Sequence, residues 1–164
     1  MSRVIHGSER DILDDALDRN REALITSVTR LTDSQSRRRL VPSATTPIGL
    51  VKHAAAAERF WFQRFLAGRD EHACDGPASP GKGSFAVGDD ESLDDVVAEF
   101  RSTAAQSRAI AADLALDAVL TNSHDEPVSV RFVLQHMVEE LARHTGHADI
   151  LVEQTLADPG TDAE

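Results

Sequence analysis

The sequence predicts an all-α protein, a four-helix bundle with one long loop between its second and third helices. Apolar residues recur at steps of three and four over four long stretches, with charged residues between them. Three of these stretches open on helix-start residues: Thr46 followed by Pro47, then Ser92, then Ser129. No segment shows the alternation of a half-buried strand, and there is no internal repeat.

The first helix is predicted from about Ser8 to Leu31, where Ile12, Leu13, Ala16, Leu17, Leu24, Ile25, Val28 and Leu31 recur at helical spacing. Asp33 offers a cap for a short helical turn in LTDSQSRRRL, and VPSATTP then breaks the pattern as a linker. Helix two should run from Pro47 to about Ala67, because the Thr46 hydroxyl can accept from free amides and proline at the first position loses no hydrogen bond. Its buried stripe reads Leu50, Ala54, Ala57, Trp61 and Phe65, with His53 at the margin. Phe60, Trp61, Phe62 and Phe65 crowd the end of this helix over more than one face, which favours packing on a loop or on a second copy over ligand stacking. A homodimer is therefore among the expectations.

Gly68 to Glu91 is rich in glycine, proline, serine and aspartate, and a loop this long is expected either to cover a site or to be disordered. Cys74 lies in it, is expected to be exposed, and has no sequence neighbour that would activate its thiol. Helix three, capped by Ser92, is predicted from Leu93 to Leu116 or Leu120, and TNSHDEP turns the chain into helix four, Ser129 to Ala157. The ends, about 1–7 and 158–164, should fray.

With 164 residues the chain suits a single domain spanning 1–164. A formal charge of −11 argues against nucleic acid and anionic membranes, since phosphate recognition depends on lysine and arginine. The run Arg37-Arg38-Arg39 is too short to reverse that reading; it suits an exposed loop or helix end, or contact with a small anion. No apolar run approaches the ~18 residues of a membrane span. The opening segment lacks a signal-like core, and the single cysteine suits a reducing compartment, so a cytoplasmic location is expected.

The chemistry concentrates in SVRFVLQHMVEELARHTGHADILVEQTLA, which holds three of the seven histidines. At 100° per residue, His136, Glu140, Arg143, His144 and His147 fall in a sector of roughly 100°. An apolar stripe of Phe132, Val133, Leu134, Met137, Leu141, Ala148 and Leu151 borders that sector and turns it toward the bundle interior. Glu140 and His144 stand one turn apart, where one ion can bridge both. Two ligands on one helix are too few for a stable site. His53 is the remaining histidine in an apolar helical setting; His6, His72 and His124 lie near the terminus or in loops.

The order TTPIGLVKH, then ERFWFQRFLAG, then SVRFVLQHMVEELARHTGHADIL resembles the DinB-like superfamily of four-helix metalloproteins, over about Arg10 to Leu156. It looks closest to the actinobacterial branch that includes mycothiol S-transferases. Members of that superfamily place one metal histidine early on the second helix and two more, four residues apart, on the last. By position His53 matches the first and His144 the last, while Glu140 stands where the middle histidine is usual. The related mycothiol-dependent maleylpyruvate isomerases use such a His, Glu, His set for zinc.

The resemblance thus implies a metal site of His53, Glu140 and His144, with His136, His147 and Arg143 as candidates to touch those ligands from outside or to contact the substrate. Three protein ligands are the composition of a catalytic zinc site, and the same set also suits iron, nickel or manganese. The function expected is transfer of a low-molecular-weight thiol, mycothiol by resemblance, onto a small electrophile, as in detoxification. Isomerisation or hydrolysis at the same ion is the enzymatic alternative, and a non-catalytic metal-binding or ligand-binding bundle the alternative from another class.

Overall fold

The computed structural model describes residues 3–158. The outermost positions of the expected frayed ends, 1–2 and 159–164, lie outside the described residues, and residues 3–8 lead irregularly into the first helix.

Helix α1, Glu9–Val28, starts at a reciprocal cap in which the Ser8 hydroxyl accepts from the Asp11 amide and the Asp11 carboxylate accepts from the Ser8 amide. The short α2, Asp33–Ser36, is capped by Thr32 and not by Asp33. Asp33 is the first residue inside the turn, and its carboxylate accepts from the Arg37 side chain and from the Leu93 amide across the bundle. Helix α3, Pro47–Glu58, begins as expected, with Thr46 accepting from the Gly49 amide and proline at the head.

From Arg59 to Leu66 the same rod continues as a π-helix before Gly68, at φ 65°, lets the chain turn away. The wider winding adds about one residue per turn and advances the buried register. Phe62 and Leu66 therefore point inward, whereas Trp61 and Phe65, predicted for the stripe, are half-buried. Arg59 and Gln63 also turn inward, to 1% and 0% exposure.

Helix α4, Leu93–Ala112, opens at the expected Ser92 cap but ends before Leu116 or Leu120. The chain turns there into a small antiparallel hairpin, β1 Val119–Thr121 with β2 Pro127–Ser129, in the register Val119 to Ser129 and Thr121 to Pro127. Three-residue strands are too short for alternation to register in a sequence. Asn122 closes the hairpin, its side-chain oxygen accepting from the His124 and Glu126 amides. Ser129 then caps α5, Val130–Ala157.

The four long rods, α1, α3 with its π extension, α4 and α5, form a helical bundle whose core includes Leu24, Leu50, Phe62, Phe100, Leu134 and Met137, all at 0% exposure. Phe132, predicted for the apolar stripe of the last helix, is instead 50% exposed and faces Trp61. A buried ion pair ties α1 to the end of α3: Arg21 donates through Nε and Nη2 to both Glu58 oxygens, each at 2.8 Å. Among the described residues no helix is long and apolar enough to cross a membrane.

Candidate metal centre

The core face of α5 is lined by Met137, Leu141, His144, Ala148 and Leu151, steps of three and four in which a histidine takes one core position. His144 is consequently buried at 8% exposure, and Glu140, one turn earlier, keeps 18% of its side chain exposed. On α3, His53 is 5% exposed because the helix is buried on nearly all sides.

These three residues meet. His53 Nε2 lies 3.3 Å from Glu140 Oε1, and His144 Nε2 lies 3.0 Å from the same oxygen. One donor atom from each of the three falls within 4.8 Å of the others. Bonds of about 2 Å to a tetrahedral ion place its ligands roughly 3.3 Å apart, close to the distance of Glu140 Oε1 from each imidazole nitrogen, and the 4.8 Å span of the set would have to close by side-chain movement for one divalent cation to touch all three.

The proton inventory points the same way. The Ser84 hydroxyl donates to the Gly81 carbonyl at 2.6 Å, so toward His53 Nδ1, at 2.8 Å, it acts as acceptor. That fixes the hydrogen of a neutral His53 on Nδ1 and leaves a lone pair on Nε2, aimed at a carboxylate oxygen. Two electron-rich atoms at 3.3 Å call for a cation between them, a proton or a metal.

Burial pushes the Glu140 carboxyl up, but the contacts of its oxygen with the His144 and His53 rings hold it below the usual carboxylate range. Burial lowers the His144 imidazole, opposed by Glu140 and reinforced by the charges of His53 and His147. Glu140 is thus ionised and His144 neutral at neutral pH, the states in which both can ligate. His144 Nδ1 is buried with no hydrogen-bond partner among the described residues.

The other candidates divide. Arg143, its side chain 63% exposed, reaches Glu140 Oε2 at 3.3 Å, and His147 stands edge-on to His144 with ring centroids 5.6 Å apart. Both border the centre. His136 belongs elsewhere: it stacks on Phe132 at 5.8 Å and meets Trp61 at 5.0 Å in the aromatic cluster.

Loop 68–91 does reach the site. Ser84 and Phe85, in a single 3-10 turn over Lys82–Phe85, touch His53, and the Phe85 ring lies parallel to the imidazole at 4.2 Å. No local pattern links Ser84 to a histidine 31 residues earlier; the length of the loop was the available signal. Cys74, expected to be exposed, is instead half-buried, and burial pushes its thiol up. The arginine run is engaged within the chain: Arg37 donates to the Gly88 and Glu91 carbonyls, Arg38 to those of Thr155 and Asp158, and Arg39 to those of Val41, Pro42 and Ser43.

Comparison with known proteins bears on the fold and on the family. No curated protein matches the chain. The crystal structure of the conserved protein of a locus from Enterococcus faecalis is similar over 93% of this chain and 100% of its own, with a TM-score of 0.65 at 13% identity. A likeness at that identity shows the fold alone, the four-helix bundle. The model of the family described as mycothiol-S-transferase matches residues 12–157, a span that takes in every long helix and all three convergent donors, and the chain belongs to that family.

Proposed function

We propose that this chain is a mycothiol S-transferase in which His53, Glu140 and His144 hold a divalent cation, zinc in preference to iron, nickel or manganese. The observation that carries the reading is the convergence of two imidazole nitrogens and a carboxylate oxygen within 4.8 Å, in a member of the mycothiol-S-transferase family. A bound divalent cation lowers the pKa of a thiol from near ~8.5 and so supplies thiolate, the nucleophile, at neutral pH.

The residues of the chain supply placement. His53 and His144 come from two packed helices, so their separation is set by the core, and Glu140 faces both with one oxygen. Arg143 and His147 stand at the exposed side, where a guanidinium and an imidazole can meet the polar groups of the thiol. Beside His147 opens a groove of 360 Å³ with Val41, Ile150 and Leu151 as apolar walls and Ser43, Thr45 and Gln154 as polar ones, suited to the body of a small electrophile. In the reaction the thiol passes its proton to water, the sulfur–carbon bond forms as the bond from carbon to the leaving group breaks, and the leaving group departs with that electron pair. The family match favours this transfer over isomerisation or hydrolysis at the same donors.

The test uses protein stripped with chelator and reloaded with zinc, supplied with mycothiol and monochlorobimane. A conjugation rate well above that of the stripped protein is expected; equal rates overturn the proposal.

A further inference from the structure

We infer that the turn from Gly81 to Phe85 is a clasp that fixes the tautomer and ring angle of His53, with Ser84 as its positioning residue and Gly49 as its seat. This rests on the reading of His53 as a metal ligand.

The clasp has three parts. Ser84 gives its hydroxyl hydrogen to the Gly81 carbonyl at 2.6 Å, which leaves the oxygen to accept from His53 Nδ1 at 2.8 Å. Phe85 lies over the imidazole at 4.2 Å and 9°, and so blocks rotation of the ring. The turn can come this close because position 49, one helical turn before His53, has no side chain. A Cβ on Gly49 would stand 2.7 Å from the Phe85 carbonyl oxygen and 2.9 Å from Thr46 Oγ1. The first of these is a backbone atom, so the loop itself would have to move.

The two imidazoles of the centre are therefore held differently. His53 has an outer partner on its second nitrogen, whereas His144 Nδ1 is buried without one among the described residues. An outer partner of a ligating histidine raises its basicity and sets its orientation, and its loss costs about 10-fold to 100-fold in metal affinity. By this argument the long loop contributes no donor atom yet tunes how tightly the cation is held.

Competition titrations with zinc, and visible spectra of the cobalt-loaded protein, test the clasp in Ser84→Ala, Ser84→Thr and Gly49→Ala. Ser84→Ala should lose affinity by about 10-fold to 100-fold and shift the cobalt bands, while Ser84→Thr restores both. Gly49→Ala should reproduce the loss although every donor and Ser84 remain, with helical circular dichroism retained. Histidine 15N shifts of the metal-free protein add a readout that needs no ion: the Nδ1–H tautomer at His53 in the parent, and a mixture of tautomers in Ser84→Ala. Unchanged affinity, spectra and tautomer in both Ser84→Ala and Gly49→Ala overturn the clasp. Failure of the parent protein to bind zinc or cobalt overturns the metal-centre reading instead, and the tautomer comparison still decides whether Ser84 orients the ring.

Discussion

One oxygen of Glu140 faces two imidazole nitrogens, at 3.3 and 3.0 Å, while its other oxygen faces Arg143. That division makes Glu140 the residue on which the three-donor set turns, because a single one of its oxygens faces both imidazole nitrogens and their contacts hold it ionised. Glu140→Gln keeps the shape and removes the charge, and should lower zinc affinity by more than about 100-fold, beyond what loss of an outer partner costs. His136→Ala, which disturbs only the aromatic cluster, should leave the affinity within about twofold. Isothermal titration of both variants checks the pair, and similar losses in the two would show that the sector of α5 acts as a whole. At this scale Glu140 and His144 were legible in their four-residue spacing, and His53 in its apolar helical setting. His136 carried the same signal as Arg143 and His147, which border the centre, because periodicity places residues on a face without saying where along it the partner helix crosses. Ser84 and Phe85 were invisible, since contacts made by an irregular loop have no period.

Among the elements, the π-helix is where sequence reasoning and the fold part company. An α-helical register from Leu50 through Ala57 leads to Trp61 and Phe65, but the wider turn substitutes Phe62 and Leu66 and brings Arg59 and Gln63 inside. No single residue in RFWFQRFL announces the insertion; three aromatics in a row fit either register. The displaced register has an energetic consequence. Phe62 is at 0% exposure within the core, so Phe62→Ala should cost about 3 to 5 kcal/mol, whereas half-buried Trp61 should cost markedly less despite its larger ring. Urea denaturation of the two variants decides it, and the reverse ranking would restore the α-helical register. The capping residues Thr46, Ser92 and Ser129 were readable because each cap is a local bond between neighbours in sequence. The end of α4 was not, because Leu114, Leu116 and Leu120 continue an apolar pattern into the turn and hairpin that pack on the core from outside the helix.

Across the molecule, the inward Arg59 and Gln63 anchor the loop that carries Ser84. Asp75 Oδ1 accepts from Arg59 Nε at 2.6 Å and Gln63 Nε2 at 2.8 Å, and Oδ2 accepts from Gln106 Nε2 at 2.7 Å and Thr103 Oγ1 at 3.3 Å. The far end is tied by Glu91, which pairs with Lys52 while Lys52 also holds Glu99 at 2.8 Å. The loop is thus pinned by charge on both sides of the His53 contact, in a chain whose net charge is −11 and which has few cations to spare. This couples stability to pH in a definite direction. Burial pushes the Asp75 carboxyl up, but hydrogen bonds from Arg59 and Gln63 and the guanidinium charge outweigh it and hold the group below its ordinary value. A carboxyl with a depressed folded-state pKa contributes stability that is complete above its unfolded value, near ~3.9, and is lost as pH falls through the folded one. Asp75→Asn should therefore be less stable than the parent at pH 7 and at pH 5, and the gap should narrow toward pH 3 as the parent loses the same contribution. Denaturant melts of both proteins at the three values measure the gap. A gap that stays constant across them would mean that Asp75 acts by hydrogen-bond geometry alone, without its charge.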